Sequence, residues 1–144
     1  MATTKIWPIK RQLGYVIHYV ENEEKTEPGR QPESLASVLG YVGREDKTDV
    51  TRFVSGINCS TVNAREEMTA TKRKWCKTDG IKAYHAYQSF APGEVTPEQA
   101  HQIGIQLANE LWGDRFQVVV ATHLDKETHI HNHFVVNSVS FVDG

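Results

Sequence analysis

Residues 116–139 read FQVVVATHLDKETHIHNHFVVNSV, and this stretch decides the fold. Residues 116–123 are rich in valine and hold no glycine or proline, as a buried strand does. Residues 130–139 form a second such run, and LDKET at 124–128 joins the two as a hairpin connection. Successive strand side chains point to opposite faces. His129, His131 and His133 therefore share one face with Val135 and Asn137, while Ile130, Phe134 and Val136 point into apolar packing on the other. The hairpin returns His123 to the start of this histidine row. An apolar pair of this kind is expected at the centre of a sheet.

Outward from the hairpin, residues 96–113 carry a well-marked helix. Thr96 is the expected cap, Pro97 takes the first helical position, Gln99 the third, and Gly113 the stop. Ala100, Ile103, Leu107, Ala108 and Leu111 follow helical spacing. Residues 81–90 alternate like a strand. Asn63 and Glu66 are expected to form a capping box at the start of a helix running to about residue 76. Residues 50–58 and 15–20 read as strands, and residues 34–42 as a short helix closed by Gly43. Residues 21–32, ENEEKTEPGRQP, are a loop. The expected fold class is α+β, in the order βαβαβαββ, with flanking helices on a largely antiparallel central sheet.

The 144 residues match one domain, 1–144. Apolar residues make up 39% and charged residues 24%, which excludes a disordered chain. No apolar run reaches the roughly 18 residues of a membrane span, and the N-terminus has no apolar signal core. Cys59 and Cys76 are too few for a disulfide framework. Together these predict a cytoplasmic protein with no membrane partner. The net charge of −2 hides an asymmetry. Residues 1–77 hold 13 Lys/Arg against 10 Asp/Glu, and residues 78–144 hold 3 against 8. A basic surface beside a metal-holding or acidic region fits that split. Lys72, Arg73 and Lys74 form the densest basic run and are expected on a solvated helix face.

A divalent ion needs convergent ligands about 2 Å away. Two histidines at i and i+2 on a strand, with a third from the neighbouring strand, supply three and leave coordination positions open, as a catalytic site requires. On this strand the pair is His129 with His131 or His131 with His133, and His123 is the third ligand from the neighbouring strand. Asp125 is expected to orient an imidazole from behind, or to serve as a turn residue.

With these residues in place the sequence resembles a known family. The final hairpin, the block YHAYQSFAPGEVTPEQAHQIG at 84–104 and the block LASVLGYVGREDKTDVTRFVSGINCS at 35–60 together resemble the MobP-type relaxases of conjugative and mobilizable elements. These belong to the His-hydrophobe-His superfamily of single-strand endonucleases. The resemblance implies an N-terminal catalytic domain with a ferredoxin- or RRM-like core, and one divalent metal, Mg²⁺ or Mn²⁺ ahead of Zn²⁺ or Ni²⁺. It implies nicking and rejoining of one DNA strand at an origin of transfer, leaving a 5′-phosphotyrosine and a free 3′-OH. The implied partners are single-stranded origin DNA, accessory relaxosome proteins and type IV secretion proteins, in a bacterial cytoplasm. Family domains continue with further helices, so truncation at the C-terminus is expected.

Two departures from the family pattern matter. Asn132 stands between His131 and His133 where the pattern has a hydrophobe, and the literal pattern, His129-Ile130-His131, lies two residues earlier. The Phe-Val-Val-Asn that follows His133 aligns the ligand pair with His131 and His133, so the resemblance implies His123, His131 and His133 as the metal ligands, with His129 behind them or as a substitute.

Five tyrosines compete for the nucleophile: Tyr15, Tyr19, Tyr41, Tyr84 and Tyr87. Tyr41 sits at the edge of its helix's apolar face, beside Gly43-Arg44, and matches the family's Tyr-x-x-x-x-x-Lys block through Lys47. The other four suit sheet packing. Arg44, Lys47 and Arg52 flank Tyr41 and are the expected DNA-phosphate contacts. Rolling-circle initiators and single-strand transposases share the same chemistry and are the nearest alternative. A cupin-type oxygenase would want many glycine-rich strands, and a DNA-binding module without catalysis would not need Tyr41.

Overall fold

The computed structural model describes residues 2–10, 17, 53–124 and 129–144. Along the chain these form β1 (Thr3–Ile9), β2 (Val54–Ile57), α1 (Ala64–Lys74), β3 (Ala83–Ser89), α2 (Pro97–Trp112), β4 (Val118–Leu124) and β5 (Ile130–Asn137). The strands make one sheet in the order β1-β3-β5-β4-β2, and every neighbouring pair is antiparallel. This is the expected α+β class, with β5 in the centre between β3 and β4.

The central pair is apolar on both faces because both faces are covered. Val118, Val120, Phe134 and Val136 pack with Ala108 of α2. Val119, Ala121 and Val135 pack on the opposite face with Ala64 and Met68 of α1 and with Ile17. Phe134 is fully buried and meets Trp112 edge-on, 5.7 Å between ring centroids. Burying a ring of that size contributes about 2–3 kcal/mol.

Helix α2 starts as expected. The Gln99 backbone N–H donates to Thr96 Oγ1 at 3.2 Å, and the Thr96 N–H donates to Gln99 Oε1 at 3.0 Å. Ala100, Gly104 and Ala108 are its buried small residues, which lets the helix lie close to the sheet. Among the described residues no helix is long and apolar enough to cross a membrane.

Several expectations differ from the structure. Asn63 makes no capping hydrogen bond, because its φ of −116° and ψ of 17° lie outside the extended geometry a capping side chain uses. Ser60 and Glu67 serve there instead: the Ser60 N–H donates to Glu67 Oε2 at 2.7 Å, and the Asn63 N–H to Ser60 Oγ at 3.1 Å. Ile17 is helical and buried, where residues 15–20 read as a strand. A short apolar run fits a buried helix as well as a strand. The strand beside β3 is β1, whose exposed residues show no alternation that would announce it. Pro8 is tolerated because β1 is a sheet edge among the described strands. Lys72 is not solvated. It is 4% exposed, and its Nζ donates to Asn137 Oδ1 and, at 2.9 Å, to Ser138 Oγ. Burial first, and then the neighbouring Lys82 charge, lowers its pKa to about 8. The expected helix at 34–42 lies outside the described residues.

Candidate metal centre

The antiparallel register puts three histidines on one face at one end of the β4–β5 ladder. His123 lies directly opposite His131, and His133 lies opposite Ala121, whose methyl leaves room for an imidazole. Ring centroids are 5.4 Å apart for His123–His131, 4.4 Å for His123–His133 and 5.0 Å for His131–His133. One ring nitrogen from each lies within 4.8 Å of the others. Nitrogens on a tetrahedral ion with bonds of about 2.1 Å sit about 3.4 Å apart, so small ring rotations close the set.

Burial keeps the His133 ring neutral. His123 and His133 are buried and His131 is half-buried. Desolvation, followed by the neighbouring His123, His131 and His85, pushes the His133 pKa far below the ordinary histidine range. A neutral imidazole is the form that offers a lone pair to a metal. His133 Nε2 is buried and has no hydrogen-bond partner among the described residues. A buried polar atom left this way fits a ligand position better than a packing role. The donor set therefore fits a divalent ion.

Three neighbours of this cluster lie outside the histidine-rich segment that the sequence singles out. His85 on β3 shares the face, and its Nε2 lies 2.9 Å from His133 Nδ1. Burial lowers its pKa to about 4. Tyr87, opposite His133 in the ladder, packs against His131 and His133 at 5.4 and 5.3 Å between centroids. The Trp7 ring lies 4.6 Å from that of His85. The alternation Ala83-His85-Tyr87-Ser89 carried the signal for β3, but only strand order reveals that its polar face meets the histidines.

The other face explains Asn132. Its amide nitrogen donates to Gln88 Oε1 at 3.0 Å and to the Ala100 carbonyl at 2.8 Å. Its Oδ1 accepts from the Thr122 hydroxyl at 2.6 Å. Since the single Thr122 hydrogen is used there, His101 donates from Nδ1 to Thr122 Oγ1, at 2.8 Å, and accepts at Nε2 from Ser55 Oγ, at 2.7 Å. This chain ties β2, α2, β4, β5 and β3 together behind the ligand pair. Asn132 is tolerated in the buried position where the family pattern has a hydrophobe because every polar atom of its side chain is paired.

His129 is exposed, one residue before β5, and is not in the convergent set. Tyr41, Arg44, Lys47, Arg52 and Asp125 lie outside the described residues, as do Tyr15 and Tyr19.

An antiparallel α+β sheet with three histidines converging on one face defines a class: a fold that could hold a metal ion at one end of its central strand pair. The chain belongs to the relaxases of the MobA/VirD2-like kind, whose nuclease-domain family matches residues 41–144. It is 47% identical over 90 residues to the protein rlx of Staphylococcus aureus, covering 62% of this chain and 28% of that protein. It is 34% identical over 153 residues to the group II intron-interrupted relaxase LtrB of Lactococcus lactis subsp. cremoris, covering 88% of this chain and 27% of that protein. The chain thus spans less than a third of the length of these relatives. No solved structure matches it.

Proposed function

We propose that this domain nicks and rejoins one DNA strand at an origin of transfer, for conjugative transfer or mobilization. The observation that carries the reading is the convergence of His123, His131 and His133 in a chain of the relaxase family. These three residues would hold one divalent ion, Mg²⁺ or Mn²⁺ ahead of Zn²⁺ or Ni²⁺. Such an ion supplies Lewis-acid stabilisation of charge on the scissile phosphate.

Tyr41 is the proposed nucleophile. Its phenol, with an ordinary pKa near 10, must lose its proton as the Oη–P bond forms. The P–O3′ bond breaks, the 3′ oxygen takes up a proton, and the 5′-phosphate stays on the tyrosine. One ester replaces another, so rejoining needs no nucleotide cofactor. Arg44, Lys47 and Arg52 are proposed to hold the strand's phosphates. The proposed partners are single-stranded origin DNA, relaxosome accessory proteins and type IV secretion proteins, within the bacterial cytoplasm.

The test is incubation with single-stranded oligonucleotides tiling the transfer origin of the element that carries this gene, with Mn²⁺ or Mg²⁺. A covalent adduct is expected, and peptide mapping should place it on Tyr41. Tyr41→Phe should abolish the adduct and leave DNA binding intact. An adduct on Tyr87 or on a histidine would overturn the assignment.

A further inference from the structure

A neutral imidazole carries one hydrogen, and only its other nitrogen can bind a cation. For His133 the two nitrogens have different surroundings. Nδ1 is 2.9 Å from His85 Nε2, whereas Nε2 is buried with no hydrogen-bond partner among the described residues. The short N···N contact holds a single hydrogen, so two arrangements exist. If His133 donates from Nδ1, its Nε2 presents a lone pair. If His85 donates from Nε2, His133 must carry its own hydrogen on Nε2 and points an N–H at the other histidines.

We infer that His85 is a positioning residue for this site. It accepts the Nδ1–H of His133 and so holds His133 in the tautomer whose Nε2 is open to a divalent cation. The inference rests on the metal reading above and deepens it. The second arrangement would bury a hydrogen on His133 Nε2, an atom that makes no hydrogen bond among the described residues, an unfavourable state. The first leaves a lone pair that a cation satisfies. Ligating histidines generally donate their second nitrogen to a fixed acceptor, which sets both tautomer and ring orientation. Here that acceptor is a neutral imidazole instead of a carboxylate.

The backbone makes the arrangement rigid. His85 lies opposite Val135, one step along β3 from Tyr87, which faces His133 itself. The His133 ring thus has Tyr87 edge-on at 5.3 Å, His123 at 4.4 Å and His85 at its Nδ1. Trp7, opposite His85 across the β1–β3 ladder, lies against the His85 ring, which is buried.

Two measurements test this on the whole chain. The first needs no metal. Long-range ¹H–¹⁵N correlation spectra of the metal-free protein should show His133 protonated at Nδ1, and protonation at Nε2 would overturn the inference. The second is calorimetric titration with Mn²⁺. His85→Leu, which removes the acceptor, should weaken Mn²⁺ binding about 10- to 100-fold. His85→Gln, whose amide oxygen can accept the same hydrogen, should restore most of that loss. Equal affinity in wild type and His85→Leu, or equal weakening in Leu and Gln variants that both fold, would overturn it. If the wild type binds no Mn²⁺, Mg²⁺, Zn²⁺ or Ni²⁺, the metal reading fails, and the spectra still decide the tautomer.

Discussion

Replacing Gly104 with alanine tests how tightly the helix is coupled to the ligand strand. In an exposed helix interior the change stabilises by about 1 kcal/mol. Here a Cβ would lie 2.6 Å from Asn132 Nδ2, 3.0 Å from Asn132 Cγ and 3.2 Å from Val120 Cγ1. The amide cannot retreat freely, since it holds Gln88, the Ala100 carbonyl and Thr122 at once. Giving up two of these buried bonds costs about 1–1.5 kcal/mol each, and more where a partner is left unpaired. The loss outweighs the propensity gain, so Gly104→Ala should destabilise by about 1–3 kcal/mol. For a chain of this length that lowers Tm by roughly 3–10 °C. Urea denaturation with an unchanged m-value, alongside calorimetry, measures it. Because Asn132 sits between His131 and His133, Mn²⁺ affinity should fall as well. In an Asn132→Ala background the same substitution should instead recover the helix gain, a coupling that a double-mutant cycle isolates. A Gly104→Ala variant about 1 kcal/mol more stable than wild type would refute the reasoning.

Alanine at both His131 and His133 should abolish binding of a divalent ion in titration calorimetry, and retained affinity would reject this ligand set. Charge reversal at Arg44 and Lys47 should weaken single-stranded DNA binding, and flatten its salt dependence, more than reversal at Arg73 and Lys74; equal effects would reject the ranking. Lys72 is unsuitable for the second pair because it is buried. Its folded pKa of about 8 lies below the reference 10.5, so the unfolded chain binds more protons between those values and stability should rise with pH there. One proton sets a ceiling of about 1.4 kcal/mol per pH unit, reduced to the extent that water reaches the amine. Lys72→Met should flatten that rise in denaturation series from pH 8 to 10.5.

The reading of the C-terminal half depended on local signals that survive in the folded chain. The Thr96–Gln99 capping pair is chemistry within one helical turn. The period-2 alternation of HIHNHFVV is a property of any strand, so the face shared by His131 and His133 could be assigned before the sheet was known. The central place of the last two strands followed from apolar residues on both faces, which only a covered strand can hold.

Residues joined across long sequence distances were a different matter. β1 has no apolar alternation, because a sheet edge in this position is exposed on both sides, and only pairing with β3 identifies it. His85 is an ordinary strand histidine until β3 docks beside β5, 48 residues on, and brings its Nε2 to His133. Asn132 departs from the family's hydrophobe as a sequence. In the fold it closes a polar chain from Ser55 to Gln88, whose members are dispersed over five elements. Lys72 lies in a basic run that reads as solvated, yet the helix turns it against Asn137 and Ser138. Periodicity and capping are encoded within a few neighbouring residues. Register between distant strands, and the desolvation and hydrogen bonding it creates, depends on which surfaces meet, and only the tertiary structure decides that.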